Sequence, residues 1–294
     1  MAATRHAGWC ENLISIMQAP ERYAVIGHPI AHSRSPLIHA LFAQQTRQDL
    51  VYTAIDVTSE QLLATVREFF AAGGRGLNVT IPHKQAVIGA TQALSARAHQ
   101  AGAVNTLLRA PQGGLLGENT DGVGLLRDLQ DNLRQRLGGA RVLLLGAGGA
   151  ARGVIAPLLE QQPRELTIAN RTLARAQALA AQFAPCGPVR AAAIESLAQE
   201  RFELIINATA ASLTAQLPEL PGALLTHAQL CYDMSYADED TVFVRWAREH
   251  GAAHACMGLG MLVEQAAESF YLWRGVRPDT APVLAHLQRR AAAP

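Results

Sequence analysis

The sequence has 294 residues, a formal net charge of +1 and 17% charged residues, which is below the roughly 25% typical of soluble proteins. This near-neutral charge argues against nucleic acid or an anionic membrane surface as a partner, and no apolar run approaches the roughly 20 residues of a membrane span. The length is sufficient for two domains, each with its own core.

The four cysteines form no C-x-x-C pair and have no metal-ligand spacing, so we expect reduced thiols, no metal and a cytoplasmic location. Residues 1–19 carry no secretory pattern, because their apolar segment at 13–17 is too short and follows Glu11. We expect a disordered extension here, with Met17 as an alternative translation start.

The first predicted elements are a strand at 23–27 and a helix that begins at Ser35. A serine is a suitable N-cap, and the proline after it suits the first helical position. Ser33 is not needed for capping, so this second hydroxyl indicates ligand binding. A second strand is predicted at 51–55, followed by another helix.

Residues 76–80 predict a strand in which Asn78 and Thr80 share one face. Two polar side chains on one face, shortly before Lys84, indicate the lining of a cleft. A hairpin follows, and then Asp121 precedes a new helical pattern. Taken alone, Lys84 would be a surface lysine and Asp121 a helix cap.

The segment 141–153 predicts a dinucleotide site. Its apolar run 142–145 is typical of a strand buried on both faces, and Gly146, Gly148 and Ala151 have the G-x-G-x-x-G/A spacing. Glycines allow a diphosphate to approach the backbone, and the following helix directs its free N–H groups toward it. The spacing is weak evidence by itself, since other tight turns share it, but the context of strand, turn, helix and strand supports it.

The residues after the next strand indicate which dinucleotide binds. A carboxylate there would hold the ribose hydroxyl of NAD, whereas this sequence has Asn170, Arg171 and Arg175. Because guanidinium groups pair with phosphate in a fork geometry, we predict NADP. The alternative is that the two arginines belong to an ordinary solvated helix face.

Three further elements are predicted before the end of the chain: strands at 202–206 and 230–234, and a helix at 241–250. A last long helix begins at Gly258. Its apolar face has no strand partner in the second half of the chain, so we expect this helix to pack on the first half.

From residue 23 to about 285 the sequence resembles the shikimate dehydrogenase family, whose members are NADP-dependent enzymes of aromatic amino-acid biosynthesis. The matching segments, in the family's order, are 32–36 (HSRSP), 76–84 (GLNVTIPHK), 102–106 (GAVNT), 119–122 (NTDG), 146–150 (GAGGA), 170–175 (NRTLAR), 231–234 (CYDM) and 258–265 (GLGMLVEQ). The resemblance implies an α/β fold with a discontinuous α/β substrate domain, a Rossmann-like NADP-binding domain and a cleft between them. We place the substrate domain at 20–120 plus 258–294 and the NADP-binding domain at 121–257.

The resemblance also implies roles for individual residues. Lys84 and Asp121 would be the catalytic pair. The substrate would contact Ser33, Ser35 and Tyr236 through its carboxylate, and Asn78, Thr80, Asn105, Asp121 and Gln265 through its ring hydroxyls. The cofactor would contact Gly146, Ala147, Gly148, Gly149 and Ala150 through its diphosphate, Asn170, Arg171, Thr172 and Arg175 through the adenosine phosphate, and Met234 and Gly258 beside the nicotinamide, with Thr209 as a further contact.

Some positions depart from the family pattern. They are His83 in place of phenylalanine, Ala96 in place of glutamate, Met257 in place of aspartate, and Ala210, Ala211 and Ser212 in place of a segment with serine and glycine. None is an expected catalytic residue, so they concern the nicotinamide-side contacts and efficiency more than the reaction.

The implied reaction is the reversible NADPH-dependent reduction of 3-dehydroshikimate to shikimate, which leads to chorismate. The expected partner is this small-molecule substrate, with no nucleic acid or membrane, and the expected state is a monomer or homodimer. Three alternatives remain open: a quinate/shikimate dehydrogenase, an aminoshikimate-type paralogue, and an NADP-sensing protein without turnover. A sensor would not require Lys84 and Asp121 opposite the cofactor.

Overall fold

The computed structural model describes residues 19–209 and 219–291. Residues 1–18, which include Met17, and the departures at 210–212 lie outside the described residues. The strands, in chain order, are β1 (Glu21–Gly27), β2 (Leu50–Asp56), β3 (Gly76–Val79), β4 (Ala93–Leu94), β5 (Thr106–Arg109), β6 (Leu115–Glu118), β7 (Arg141–Leu145), β8 (Glu165–Ala169), β9 (Val189–Ala192), β10 (Leu204–Asn207), β11 (Leu230–Asp233) and β12 (Ala255–Met257).

The α-helices are α1 (Ser35–Thr46), α2 (Leu62–Ala71), α3 (Ala96–Ala101), α4 (Asp121–Arg127), α5 (Gly149–Glu160), α6 (Leu173–Phe183), α7 (Val242–Glu249), α8 (Leu259–Arg274) and α9 (Ala281–Ala291). A π-helical turn, Asp128–Asn132, continues α4. No helix in the described parts of the chain is both long and apolar enough to cross a membrane.

The first sheet is mixed, with the strand order β2-β1-β3-β5-β6-β4. Strand β1 lies between β2 and β3, and its residues Tyr23, Ala24, Val25 and Ile26 are all buried because neighbours cover both faces. Strands β1, β2 and β3 are parallel, and β5 and β6 form the predicted antiparallel hairpin. The carboxyl ends of β1 and β3 therefore lie side by side, and the chain segments that follow them start at one edge of the sheet.

The second sheet is entirely parallel, with the order β12-β11-β10-β7-β8-β9. The strand order reverses at β7, which pairs with β10 on one side and β8 on the other. Ligands of open α/β sheets bind at such a switch point, outside the carboxyl ends of the strands. The α/β prediction is confirmed by these two sheets and their covering helices.

Helix α8 packs on α1 of the first sheet, as its apolar face led us to expect. Ile38 and Phe42 from α1 form one buried cluster with Val263, Ala266 and Phe270 from α8. The predicted capping role of Ser35 is wrong, however. Arg34 is the N-cap and its side chain makes no cap hydrogen bond, Ser35 is the first helical residue, and the Ser35 backbone N–H donates to Ser33 Oγ at 3.3 Å.

Helix α4 is held close to both α5 and α8 by glycines. A Cβ at Gly122 would lie 2.2 Å from Pro157 Cγ of α5, and one at Gly124 would lie 2.8 Å from the Gln265 backbone nitrogen of α8. Larger residues at these positions would separate the helices. This packing fixes the first residue of α4, which is Asp121.

Candidate active site

A cleft of about 180 Å³ opens between the carboxyl edges of the two sheets. Every residue expected to bind the substrate or act as a catalyst lines it: Ser33, Ser35, Asn78, Thr80, Lys84, Asn105, Asp121, Tyr236 and Gln265. Four of the expected cofactor contacts also line it: Ala150, Thr209, Met234 and Gly258. Both sheets and α8 thus contribute to a single site.

Lys84 and Asp121 form an ion pair within this cleft. The Lys84 Nζ lies 2.6 Å from Asp121 Oδ2, and the two side chains are only 12% and 5% exposed. Lys84 is the only lysine in the sequence, since all other basic side chains apart from histidine are arginines. A single primary ammonium is therefore held at the centre of the cleft, where few water molecules can screen it.

Asp121 is oriented by hydrogen bonds as well as by the lysine. Asn105 Nδ2 donates to Asp121 Oδ1 at 2.9 Å, and the Asp121 backbone N–H donates to Asn119 Oδ1 at 3.1 Å. Asn105 is itself held by the Thr120 backbone N–H, which donates to its Oδ1 at 2.9 Å. These bonds fix the carboxylate before any ligand arrives.

A second cluster of polar side chains is centred on Asn78. Its Oδ1 accepts a hydrogen bond from the Tyr52 hydroxyl at 2.7 Å, and its Nδ2 donates to Ser269 Oγ at 3.0 Å and to Thr106 Oγ1 at 3.1 Å. Burial raises the pKa of Tyr52 well above its ordinary value, although the Ser35 hydroxyl bonded to it lowers that pKa. Tyr52 is therefore a neutral link between Ser35 and Asn78.

The two serines meet a side chain from the second sheet. Burial raises the pKa of Tyr236, while hydrogen bonds from the Arg34 backbone N–H and the Ser33 hydroxyl lower it. Tyr236 and Ser33 line the same cleft, although one follows a strand of the second sheet and the other a strand of the first. Ser33, Ser35 and Tyr236 thus offer three hydroxyl donors to one cleft, and a carboxylate can accept hydrogen bonds from such donors.

The glycine turn after β7 has the conformation that a dinucleotide requires. Gly146 has a φ of +112°, which disfavours other residues, and a Cβ there would lie 3.0 Å from the Ala208 carbonyl. Gly148 has open space where its side chain would be, and it immediately precedes α5. A Cβ on Gly149 would lie 3.2 Å from Lys84 Cβ, so the turn directly adjoins the Lys84–Asp121 ion pair.

The residues expected to hold the adenosine phosphate lie outside the cleft. Asn170 follows β8, and its Nδ2 donates to the Thr172 carbonyl at 3.0 Å. Arg171 and Arg175 are exposed at the start of α6. Both arginines lie at the carboxyl edge of the second sheet, where the glycine turn also lies, and their side chains are exposed to solvent.

Sequence reasoning missed several polar residues of the site, chiefly Tyr52, Thr120 and Ser269. The Thr120 hydroxyl contacts Asn105 and Gln265, and Ser269 lies one helical turn after Gln265. The spacing of Gln265 and Ser269 is a signal that could have identified the second of them. Among the departures, His83 is buried and its Nε2 lies 2.6 Å from the Val57 carbonyl, so this polar replacement has a hydrogen-bond partner.

A parallel sheet whose glycine turn adjoins a lysine–carboxylate pair defines an oxidoreductase of the dinucleotide-binding α/β class. Three family models match the chain: the shikimate dehydrogenase substrate binding domain over residues 25–107, shikimate / quinate 5-dehydrogenase over 128–217, and the shikimate 5'-dehydrogenase C-terminal domain over 258–288. The chain belongs to the shikimate dehydrogenase family.

Individual relatives agree with this assignment. The shikimate dehydrogenase (NADP(+)) of Methylococcus capsulatus is 56% identical over 94% of this chain and 100% of its own length. The Ael1 enzyme of Pseudomonas putida is 48% identical, with a TM-score of 0.84 over 91% of this chain and 98% of its own. The shikimate 5-dehydrogenase of Thermus thermophilus, solved with NADP(H) and shikimate, is 37% identical, with a TM-score of 0.80 over 92% of this chain and 99% of its own.

Proposed function

We propose that this protein catalyses the reversible NADPH-dependent reduction of 3-dehydroshikimate to shikimate. The curated relatives are NADP-dependent shikimate dehydrogenases at identities up to 56% over nearly the whole chain. The observation that carries the proposal is the Lys84–Asp121 pair, 2.6 Å apart, in a cleft that also contains the polar groups needed for a hydroxylated acid.

The residues of the second sheet fit NADP. The left-handed Gly146 and the open space at Gly148 permit a diphosphate to approach the N-terminus of α5. Arg171 and Arg175 would hold the 2′-phosphate through charge-assisted hydrogen bonds, with Asn170 and Thr172 beside them. Met234, Thr209 and Gly258 would adjoin the nicotinamide, which supplies the hydride when it is bound.

The substrate would be oriented from both ends. Ser33, Ser35 and Tyr236 would receive its carboxylate, and their convergence across the cleft supports this role. The ring hydroxyls would contact Asn78, Thr80, Asn105 and Gln265. Because the amides of Asn78 and Asn105 are already held by other side chains, the site is preorganised and loses little entropy when the substrate binds.

The lysine–carboxylate pair would carry the proton chemistry. Reduction breaks the C=O π bond at C3, adds a hydride to carbon and leaves negative charge on oxygen, which takes up one proton. We assign to the Lys84 ammonium the hydrogen bond that stabilises this charge, and to Asp121 the orientation of Lys84 and the binding of the neighbouring hydroxyl. The reverse reaction uses the same groups in the opposite direction.

The test is an activity assay that follows NADPH formation with shikimate, with quinate and with no substrate, each with NADP and with NAD. The proposal expects oxidation of shikimate with NADP to be preferred. Preferred oxidation of quinate would indicate the quinate/shikimate alternative, and cofactor binding without turnover would indicate the sensor.

The expected division into 20–120 plus 258–294 and 121–257 remains a proposal, as do the monomeric or homodimeric state and the cytoplasmic location. The cleft supports the division, because the first sheet lies within 21–118 and the second within 141–257. Limited proteolysis with mass determination of the fragments would test these boundaries.

A further inference from the structure

Arg34 lies between the two serines of the cleft, yet the proposed chemistry gives it no role. It ends the segment between β1 and α1, and its side chain is only 17% exposed. Arg34 is not among the described residues that line the cleft. Its guanidinium instead reaches the segment 234–240, which follows β11 of the second sheet.

Three contacts hold the guanidinium on that segment. Arg34 Nη2 donates to Asp238 Oδ1 at 2.5 Å and to the Ala237 carbonyl at 3.5 Å, and the guanidinium carbon lies 5.8 Å from the centre of the Tyr236 ring. Asp238 is 95% exposed, so solvent screens this ion pair and its contribution is small. The face of the Tyr236 ring is then the more important contact, because cation–π attraction is stronger where water is excluded.

Arg34 is therefore close to both the ring and the hydroxyl of Tyr236. The Arg34 backbone N–H and the Ser33 hydroxyl lie close enough to the Tyr236 hydroxyl to lower its pKa, and the Arg34 guanidinium carbon lies 5.8 Å from the centre of the Tyr236 ring. Tyr236 lies in the segment that follows β11 of the second sheet, whereas Ser33 and Ser35 lie between β1 of the first sheet and the start of α1. Arg34 thus determines where this hydroxyl lies relative to Ser33.

We propose that Arg34 is a positioning residue that clasps the segment 234–240 to the first sheet, so that the Tyr236 hydroxyl completes the binding site for the substrate carboxylate. This inference rests on the proposed function, because it presupposes an anionic ring substrate. The clasp consists of Arg34, Tyr236 and Asp238. None of the three is an expected NADP contact, although Met234 at the start of the segment is one, so the clasp acts mainly on substrate affinity and less on the affinity for NADP.

The kinetic test compares Arg34→Ala, Arg34→Lys and Asp238→Asn with the matched control Glu239→Gln, which alters the neighbouring exposed carboxylate. We expect Arg34→Ala to raise the KM for shikimate about three- to tenfold, with kcat and the KM for NADP changed less than about twofold. Asp238→Asn should raise it less than about threefold, because that pair is exposed. Arg34→Lys should fall between wild type and Arg34→Ala, and Glu239→Gln should match wild type.

A double variant shows whether Arg34 acts through Tyr236. In a Tyr236→Phe background, which lacks the hydroxyl, Arg34→Ala should raise the KM for shikimate less than about twofold further. An independent, multiplicative effect would overturn the proposal, and so would an equal rise in the KM for NADP or no change in the KM for shikimate. If Arg34→Ala does not fold, Arg34→Lys and Asp238→Asn are compared with Glu239→Gln instead. No change in their KM for shikimate, or an equal rise in their KM for NADP, would then overturn the proposal.

A measurement without turnover separates the clasp from the proposed function. Hydrogen–deuterium exchange of the peptides covering 28–35 and 234–240 should be faster in Arg34→Ala than in wild type, and unchanged in Glu239→Gln. Unchanged exchange in Arg34→Ala would overturn the clasp even if shikimate is the substrate. If wild type fails to oxidise shikimate but the exchange difference is present, the proposed function is overturned and the contact between the two segments remains.

Discussion

Replacing Lys84 with methionine removes the only ammonium of the cleft and leaves a side chain of similar length. The charge that develops on the substrate oxygen would then lose its hydrogen-bond donor. Removal of one such donor or acid typically costs about 10²–10⁴ in rate, or about 2.7–5.5 kcal/mol of transition-state stabilisation. We therefore expect kcat for shikimate oxidation to fall at least about a hundredfold, while the KM for shikimate and for NADP changes little.

The effect on stability should be much smaller than the effect on rate. Lys84→Met leaves the Asp121 carboxylate without its ion-pair partner, but Asn105 Nδ2 still donates to it and it occupies the first turn of α4. A loss of about 1–2 kcal/mol is expected, which lowers Tm by about 2–8 °C in a chain of this size. The variant should thus be folded under assay conditions.

The assay is NADPH formation under saturating substrates, with Tm measured on the same samples. Asp121→Asn should lose activity to a similar extent, and the double variant should be little worse than either single variant because the residues act as a unit. Lys84→Arg is the matched control, since it keeps a cation and hydrogen-bond donors but scarcely releases a proton. A double variant whose loss equals the product of the single losses would refute the catalytic pair.

Three further predictions concern the cofactor, the substrate carboxylate and the buried charges. Asn170→Asp with Arg171→Ala should shift the preference from NADP toward NAD, by about 1.5–3 kcal/mol for one lost charge-assisted contact, as measured by the ratio of kcat/KM for the two cofactors. Ser33→Ala should raise the KM for shikimate more than it lowers kcat, because carboxylate binding is similar in the ground and transition states. Glu268→Gln should lower the free energy of unfolding by about 1–3 kcal/mol near neutral pH, as measured by urea titration, because it removes the charged acceptor that Arg277 contacts.

The pH dependence of Glu268 follows from its surroundings. Burial raises its pKa, but bonding to Arg277 and the charges of Arg97 and Arg127 outweigh burial, so the pKa lies below its ordinary value. A depressed pKa means that stability is present above the pKa of the unfolded chain and is lost as the pH falls through the folded value. The stability difference between wild type and Glu268→Gln should therefore shrink below about pH 4.3.

Each of these expectations has a contrary outcome. An unchanged cofactor ratio in the Asn170/Arg171 double variant would mean that this segment does not hold the 2′-phosphate. A defect of Ser33→Ala in kcat alone would exclude carboxylate binding. A stability difference for Glu268→Gln that stays constant between neutral pH and pH values well below 4 would show that the carboxylate charge is not what its arginines stabilise.

The sequence allowed the residues that line the cleft to be predicted because several of them lie in or soon after strands with clear patterns. The polar Asn78 lies between apolar residues of β3, and Gly146 directly follows β7, whose last four residues are buried. The short strands β9 and β12 were missed because three or four residues at a sheet edge carry little periodicity.

The role of Tyr52 could not be predicted, because it depends on the order of the strands. Tyr52 lies on the edge strand β2 opposite Tyr23 of β1, and it reaches Asn78 on β3 across the intervening strand β1. Nothing in the local pattern of β2 shows which strand lies two positions away. Similarly, Ser35 resembles a helix cap in sequence, whereas its hydroxyl is engaged by Tyr52.

Because Lys84 is the only lysine of the sequence, the cleft can be labelled selectively. An amine-selective reagent can modify only Lys84 and the chain's α-amino group, since guanidinium groups do not react as amines. Reductive methylation with isotopically labelled formaldehyde would therefore add a single side-chain probe, whose magnetic resonance signal reports the charge state of Lys84 in the free protein and with NADP or shikimate added. In most proteins such a signal must first be assigned among many lysines. Here Lys84 is the only lysine that can give a side-chain signal.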